Sequence, residues 1–416
     1  MSVLILHRGS LAGSAYDQWL AEYGGDLLLL ASREQLDQFG EELPRDGYRH
    51  AEAIDDYDLG GQVEVRALEL AREHGVRHIV ATQERDLERA AQLRGILGLP
   101  GQDLASVTPF RSKILTKELV QAAGVEVAPY TEVECATDII AFVREQGLPV
   151  VVKPRDGGGS IDVTIIRTEP DLDAFLNGLD LGGPSLPNLM VESYVPGLMC
   201  HVDGLVVGGR VVFSWPSQYQ YALAVFRGDH SPRLDLTLDA DDPLSLRLID
   251  LVDRILGALP SPETFTFHAE IFHTPDDRLV LCEIACRTAG AAIRDTVRTM
   301  FSADPSECWV RAQLGLPMPL PESDTRLEPT QMAGQLLLLK RAGKVISVPE
   351  GQPPFDWVEH YRLLVRPGQV TPGALFAGDF MATFVGSAPT RAECERRLRE
   401  LAAWFNAGIV IEPSEP

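Results

Sequence analysis

Apolar and polar positions alternate along the chain in two periods, and the first hundred residues set the pattern. The apolar run VLILH (3–7) leads into the loop RGSLAGS and an amphipathic stretch to Tyr23; DLLLLA (26–31) gives a second strand. Gln62 to His74 reads as a helix with Val63, Ala67, Leu70 and Ala71 on one face, VRHIVAT (76–82) as a third strand, and DLERAAQLRGILGL as a further helix. Strands alternating with helices predict a parallel α/β sheet. A helix is then expected between Thr108 and Val127, started by TPF and stopped at Gly124, followed by another over ATDIIAFVREQG (136–147). LPVVVKPRDGGGSIDVTII (148–166) reads as a strand, a Gly-rich loop and a second strand. Residues 188–216 give a strand, a break at Pro196-Gly197 and a hairpin turning at Gly208-Gly209. The polar segment from Ser217 to Pro243 reads as a lid or a solvated loop, and SLRLIDLVDRILGAL (245–259) as an amphipathic helix. Beyond Leu327 three strand patterns and the helix RAECERRLRELAAWFN close the chain as a small α+β domain.

Within this frame the stretch FHAEIFHTPDDRLVLCEIACRTAG stands out. Two apolar runs joined by TPDD predict a β-hairpin, with Glu270 on one strand and Glu283 on the other. Strand side chains alternate, so the two carboxylates can face the same way. Like charges in one site are tolerated when a cation or a proton lies between them. A hard divalent ion with oxygen preference, such as Mg²⁺, suits such a pair, and Arg287 follows four residues later with a planar fork for a phosphate or carboxylate.

Composition narrows the partners. The 416 residues predict two to four domains, and the apolar (45%) and charged (23%) fractions are those of a soluble globular protein. A formal charge of −23 argues against nucleic acid or an anionic membrane as partner. No apolar run has the roughly 20 residues needed to cross a bilayer. The start MSVLILHRGS reads as a buried strand instead of a leader, and six scattered Cys without a CxxC pair predict a cytoplasmic protein with reduced thiols. Of 37 basic residues only five are Lys, so Lys113, Lys117 and Lys153 near motifs carry weight. Lys113 sits in a first helical turn, where the helix dipole favours anions, and is therefore either aimed at a phosphate or exposed. Lys153 precedes Gly157, Gly158, Gly159 and Ser160, a flexible turn between strands whose N–H groups can close over phosphates.

The order Lys113, Lys153 before GGGS, VESYV, HAE and CEIACR resembles the ATP-grasp superfamily over roughly Ile79 to Gly290. The resemblance implies an ATP-grasp fold, with an N-terminal Rossmann-like α/β domain (1–107), one lobe with the flap (108–190), a second with the metal strands (191–325) and a C-terminal α+β domain (326–416). It implies that Lys113 and Lys153 contact the nucleotide phosphates, Gly157 to Ser160 cover them, and Glu192 and Val195 lie in the adenine-reading linker. It further implies that Glu270 and Glu283 hold Mg²⁺, with Mn²⁺ as the alternative ion, and that Arg287 steadies the transferred phosphoryl group. Two positions depart from the family pattern Glu-x-Asn-x-Arg and its ribose-binding Glu: Ala285 replaces the Asn, and Met199 replaces the Glu, leaving Asp203 to reach the ribose. The arrangement looks most like carboxylate–amine ligases that join an amino acid or other carboxylate to an amine through an acyl phosphate, with a homodimer expected from the family. Arg287 and Arg294 are candidates for clamping a substrate carboxylate, and His201, Tyr219, Arg227 and His268 for lining the substrate pocket. The competing readings are a biotin-carboxylase-like enzyme that phosphorylates bicarbonate and a non-catalytic nucleotide-binding module.

Overall fold

The computed structural model describes residues 2–179, 188–221 and 231–413. Its first sheet is built from Ser2–His7, fully buried, and Asp26–Ser32, buried beyond Asp26, flanked by Val76–Ala81 at one edge and His50–Ile54 at the other, all parallel. The edge strand escapes sequence reading because HAEAI is half-exposed and lacks an apolar run. The helix expected from Thr108 is two helices, Leu104–Arg111 and Lys113–Ala122. Asp103 caps the first and Ser112 caps the second through bonds to the N–H groups of Ser106 and Leu115, so Lys113 is the first residue of its helix.

A second, antiparallel sheet carries the Gly-rich loop. Its order is Tyr130–Val133, Leu189–Ser193, Val150–Pro154, Thr164–Ile166, and the loop joins the last two strands. Helices Ala136–Gln146 and Glu169–Gly178 pack with this sheet around Ile139, Phe142, Val150 and Leu172.

The largest sheet has eight antiparallel strands in the order Leu279–Ala285, Phe265–His273, Leu198–Val207, Arg210–Tyr219, Arg233–Thr237, Met332–Leu339, Phe380–Ala388, Val358–Leu363. Two expectations are corrected here. The supposed lid or loop after Ser217 contains a fully buried central strand, Arg233–Thr237, masked in sequence by its charged Arg233 and Asp235. That strand pairs directly with Met332–Leu339, so the boundary expected at 325/326 falls inside one continuous sheet. Helix Arg391–Gly408 covers this C-terminal half, burying Leu398, Leu401 and Phe405.

Strand Leu198–Val207 is the pivot of the sheet, and Gly204 within it shows how tightly it packs. A Cβ there would lie 2.4 Å from Phe267 Cζ and 2.6 Å from the Phe213 carbonyl oxygen. Gly204→Ala is expected to cost about 1–3 kcal/mol by overpacking. Gly257→Ala, in a helix with nothing within 4 Å of the new methyl, is expected to be neutral or stabilising by up to about 1 kcal/mol. Urea denaturation of both variants checks the pair, and a neutral Gly204→Ala would contradict this packing.

Candidate active site

Between the two large sheets lies a cavity of about 350 Å³. Its roof is Gly157 to Ile161, one wall is the linker Ser193–Val195, and its floor is one face of the eight-stranded sheet. Alternate residues of the floor strands reach it: His268, Glu270 and Phe272 on one, Met199 and Tyr219 on the next two, Gln335 and Leu337 further across. Roof residues Gly159 and Ser160, and Asp162 just beyond the roof, have φ of 66°, 57° and 57°, a left-handed conformation that glycine adopts without strain.

Glu270 and Glu283 are Cα partners across their hairpin, and both line the cavity. Lys113 Nζ is 2.9 Å from Glu283 Oε2 and donates at 2.5 Å to the Gly157 carbonyl, tying flap, helix start and acidic strand together. Lys113 is therefore neither solvated nor idle. Burial works against ionising Glu283, but Lys113 and Lys153 outweigh it and bring its carboxyl down to about 2.

Lys153 is buried and donates to Glu192 Oε1 at 2.5 Å, while Lys117 lies 3.1 Å from Oε2 of the same carboxylate. Burial opposes the charge on Glu192, yet the two ammonium groups hold its carboxyl below the usual range. The Glu192 side chain is thus the counter-ion of two buried lysines, and Glu192, Tyr194 and Val195 line the cavity along the linker. Sequence reading missed Lys117 in this role, although its spacing of four from Lys113 on one helix was a visible signal.

Arg287 lines the cavity with its Nε 2.8 Å from Glu84 Oε2. Glu84 begins helix Glu84–Leu97 of the N-terminal region and also accepts from Arg111 Nη1 at 2.5 Å, while Arg111 Nη2 reaches the Asp156 carbonyl below the flap. No sequence signal ties Glu84 to a residue 203 positions away.

Across the floor runs a chain of buried polar side chains. Asp203 accepts from His201 Nδ1 at 2.6 Å and from His268 Nδ1 at 3.0 Å; His201 Nε2 faces Asp235 Oδ2 at 2.8 Å. Gln335 Nε2 donates to the same Asp235 oxygen at 2.7 Å, and its Oε1 accepts from the Ala292 N–H at 3.0 Å. An ionised carboxylate only accepts, so both nitrogens of His201 carry protons and the ring is a cation. Desolvation opposes that charge, but Asp235 and Asp203 raise the His201 pKa well above its ordinary value. For His268, Asp203 likewise outweighs burial and raises the pKa to about 9.

Three expected contacts are corrected by this network and its surroundings. Asp203 does not reach toward a ribose, because both oxygens are occupied by imidazoles and the residue does not line the cavity. His201 is 1% exposed and sealed between two aspartates, so it is not a pocket wall. Arg294 turns away from the cavity into a fork on Asp304, with contacts of 2.7 to 3.0 Å, and stacks over the Trp19 ring. Tyr219 and His268 line the cavity, and Arg227 lies outside the described residues.

Glu192→Gln leaves two buried ammonium groups without their carboxylate and is expected to cost about 3–5 kcal/mol. The pH dependence has a fixed sign. Glu192 and Glu283 are both depressed, so the stability they contribute is complete above about 4.5 and is lost as pH falls through their lowered values, about 2 for Glu283. Urea midpoints at pH 7 and pH 3 should therefore fall on acidification, and fall less in Glu192→Gln. A variant as stable as the parent at pH 7 would contradict this counter-ion role.

Comparison with known proteins fits this geometry. No family model matches the chain. The L-arginine-specific L-amino acid ligase of Bacillus subtilis is 24% identical over 256 residues, covering 61% of this chain and 61% of that protein, so less than two thirds of the relative's length is matched. The crystal structure of an L-amino acid ligase from Bacillus licheniformis superposes with a TM-score of 0.76 at 15% identity, covering 100% of this chain and 99% of that one. The biotin carboxylase domain of the Hydrogenobacter thermophilus 2-oxoglutarate carboxylase, solved with MgADP and bicarbonate, gives 0.69 at 16% identity, covering 98% and 91%. The chain has the ATP-grasp fold.

Proposed function

We propose that this chain is an ATP-dependent, ADP-forming ligase that joins a carboxylate, such as an amino acid, to an amine through an acyl phosphate. The observation that carries the reading is the pairing of Glu270 with Glu283 beside Lys113 and Lys153, under a Gly-rich roof. The relative from Bacillus subtilis, named as a ligase, supports it.

Two facing carboxylates are an oxygen donor set that fits Mg²⁺ or Mn²⁺; when bound, the ion supplies positive charge that offsets that of the phosphates. The remaining work falls to this chain's side chains. Lys113 and Lys153 offer ammonium groups to phosphate oxygens, with Lys153 held in place by Glu192. Arg287, oriented by Glu84, presents its fork to the phosphoryl group as it passes from ATP to the substrate carboxylate. The carboxylate oxygen attacks the γ-phosphorus and ADP leaves; the amine nitrogen then attacks the acyl carbon, and phosphate departs. The roof from Gly157 to Ile161 closes over the cavity and keeps water from the acyl phosphate.

ADP and phosphate release from Mg·ATP, measured against amino acids singly and in pairs, tests the reading. Release should require two substrates, and Glu283→Gln should lower it at least about 100-fold. Release with bicarbonate alone would make the protein a carboxylase, and nucleotide binding without ADP release under every mixture would make it a binding module.

A further inference from the structure

Charge is distributed unevenly around the cavity. The charged residues that line it stand on or just beyond the strands of the roof-bearing sheet, at the helix start Lys113, on the acidic hairpin and at Arg287. The rest of the lining comes from the loop 290–293 after Arg287, from Tyr219 and Tyr221, from strand Met332–Leu339 and from the stretch 377–380. Strands Met332–Leu339 and Phe380–Ala388 lie beyond Arg233–Thr237, on the far side of the sheet from the acidic hairpin. At this end Tyr221, Ala291, Leu337, Ala377 and Phe380 line the cavity, and among the described residues no charged side chain joins them. The buried Arg233 and Asp235 of the intervening strand are not part of the lining. Arg233 lies against the Tyr221 ring, 4.7 Å from its centroid, and Asp235 bonds His201 and Gln335. Gln335 does line this end, but its amide is already engaged by Asp235 and the Ala292 N–H.

We propose that this uncharged end is the subsite for the side chain of the acid substrate, and that the acid carries a bulky apolar side chain, aliphatic or aromatic. The inference rests on the ligase reading above. The loop 290–293 follows Arg287 directly and is tied to the floor through the Ala292 N–H and Gln335. A carboxylate at Arg287 therefore has this end beside it, and its side chain extends along Ala291 toward Leu337 and Phe380. A charged side chain would leave water there without a partner, which is costly. A single methyl group would forgo the contacts that Tyr221, Leu337 and Phe380 offer. Ala291 and Ala377 contribute only a methyl each, so the volume between those larger walls is left to the ligand. The apolar residues at the other end, among them Val151 and Ile165, belong to the roof-bearing sheet beside the linker, away from Arg287, and suit the base of the nucleotide.

Calorimetric titration of carboxylates into the whole protein, saturated with Mg²⁺ and the non-hydrolysable ATP analogue AMP-PCP, tests the inference without turnover. The probes are L-leucine, L-phenylalanine, L-alanine, L-lysine and L-glutamate, with isocaproate and hydrocinnamate, which lack an amine and so report the acid site alone. The bulky apolar probes should bind at least about 10-fold more tightly than alanine, lysine or glutamate. Ala377→Glu, in a partly exposed stretch where folding is little disturbed, places a carboxylate in the proposed wall. It should weaken leucine and phenylalanine and shift their ratio to lysine by about 10-fold or more in favour of lysine. Lysine, glutamate or alanine binding as tightly as leucine in the parent would overturn the inference and leave the ligase reading standing. An unchanged ranking in a folded Ala377→Glu would likewise overturn the placement of the subsite. Failure of every carboxylate to bind beside the nucleotide would overturn both.

Discussion

Two carboxylates held side by side on one sheet face are the constraint around which this molecule is arranged. Glu270 and Glu283 face the same cavity, partly withdrawn from water, and their repulsion must be offset by cations. Lys113 supplies one at 2.9 Å and Lys153 another through space, while Arg287 approaches from the end of the same strand. Each cation is itself fixed by an element with another task. Lys113 is fastened to the flap, Lys153 to the linker strand through Glu192, and Arg287 to the N-terminal region through Glu84. The acidic pair therefore draws the sheet that carries the flap and linker, and the N-terminal region, onto one cavity.

The floor of the cavity shows a second layer of the same logic. A strand with buried Arg233 and Asp235 is costly unless its charges are matched, and Asp235 is matched by His201 and Gln335. Through Asp203 and His268 that matching extends to within 3.6 Å of Glu270. The polar chain crosses the eight-stranded sheet beneath the cavity, so the rigidity of the floor and the position of the acidic pair are set together.

Much of this was legible in the sequence because the local signals agree. The Glu hairpin follows from two apolar runs and a TPDD turn, and strand alternation allows Glu270 and Glu283 to face the same way; the register shift after Glu270 left no local sign. Lys113, Lys153 and the Gly-rich turn are marked by position and by the scarcity of lysine. What escaped depends on long-range pairing. Arg233–Thr237 looks like a polar loop until its neighbours, which include a strand a hundred residues later, bury it. Glu84 is one acid among many in a helix until Arg287 meets it. Asp203, His201 and Arg294 are residue types that suit a ligand pocket, and only their partners show that each is already engaged elsewhere. Sequence gave the chemistry of the strands that carry their own pattern; it withheld the buried pairs, because a charge matched across the fold leaves no local trace.

The central claim is that the facing carboxylates hold a divalent ion on which nucleotide binding depends. Calorimetric titration of ADP with and without Mg²⁺, in the parent and in the Glu270→Gln/Glu283→Gln double variant, tests it most directly. The account predicts that Mg²⁺ tightens ADP binding in the parent and that the double variant loses that increment while still binding metal-free ADP. Affinity for ADP that is the same with and without Mg²⁺ in the parent, or an increment that survives the loss of both carboxylates, would contradict it.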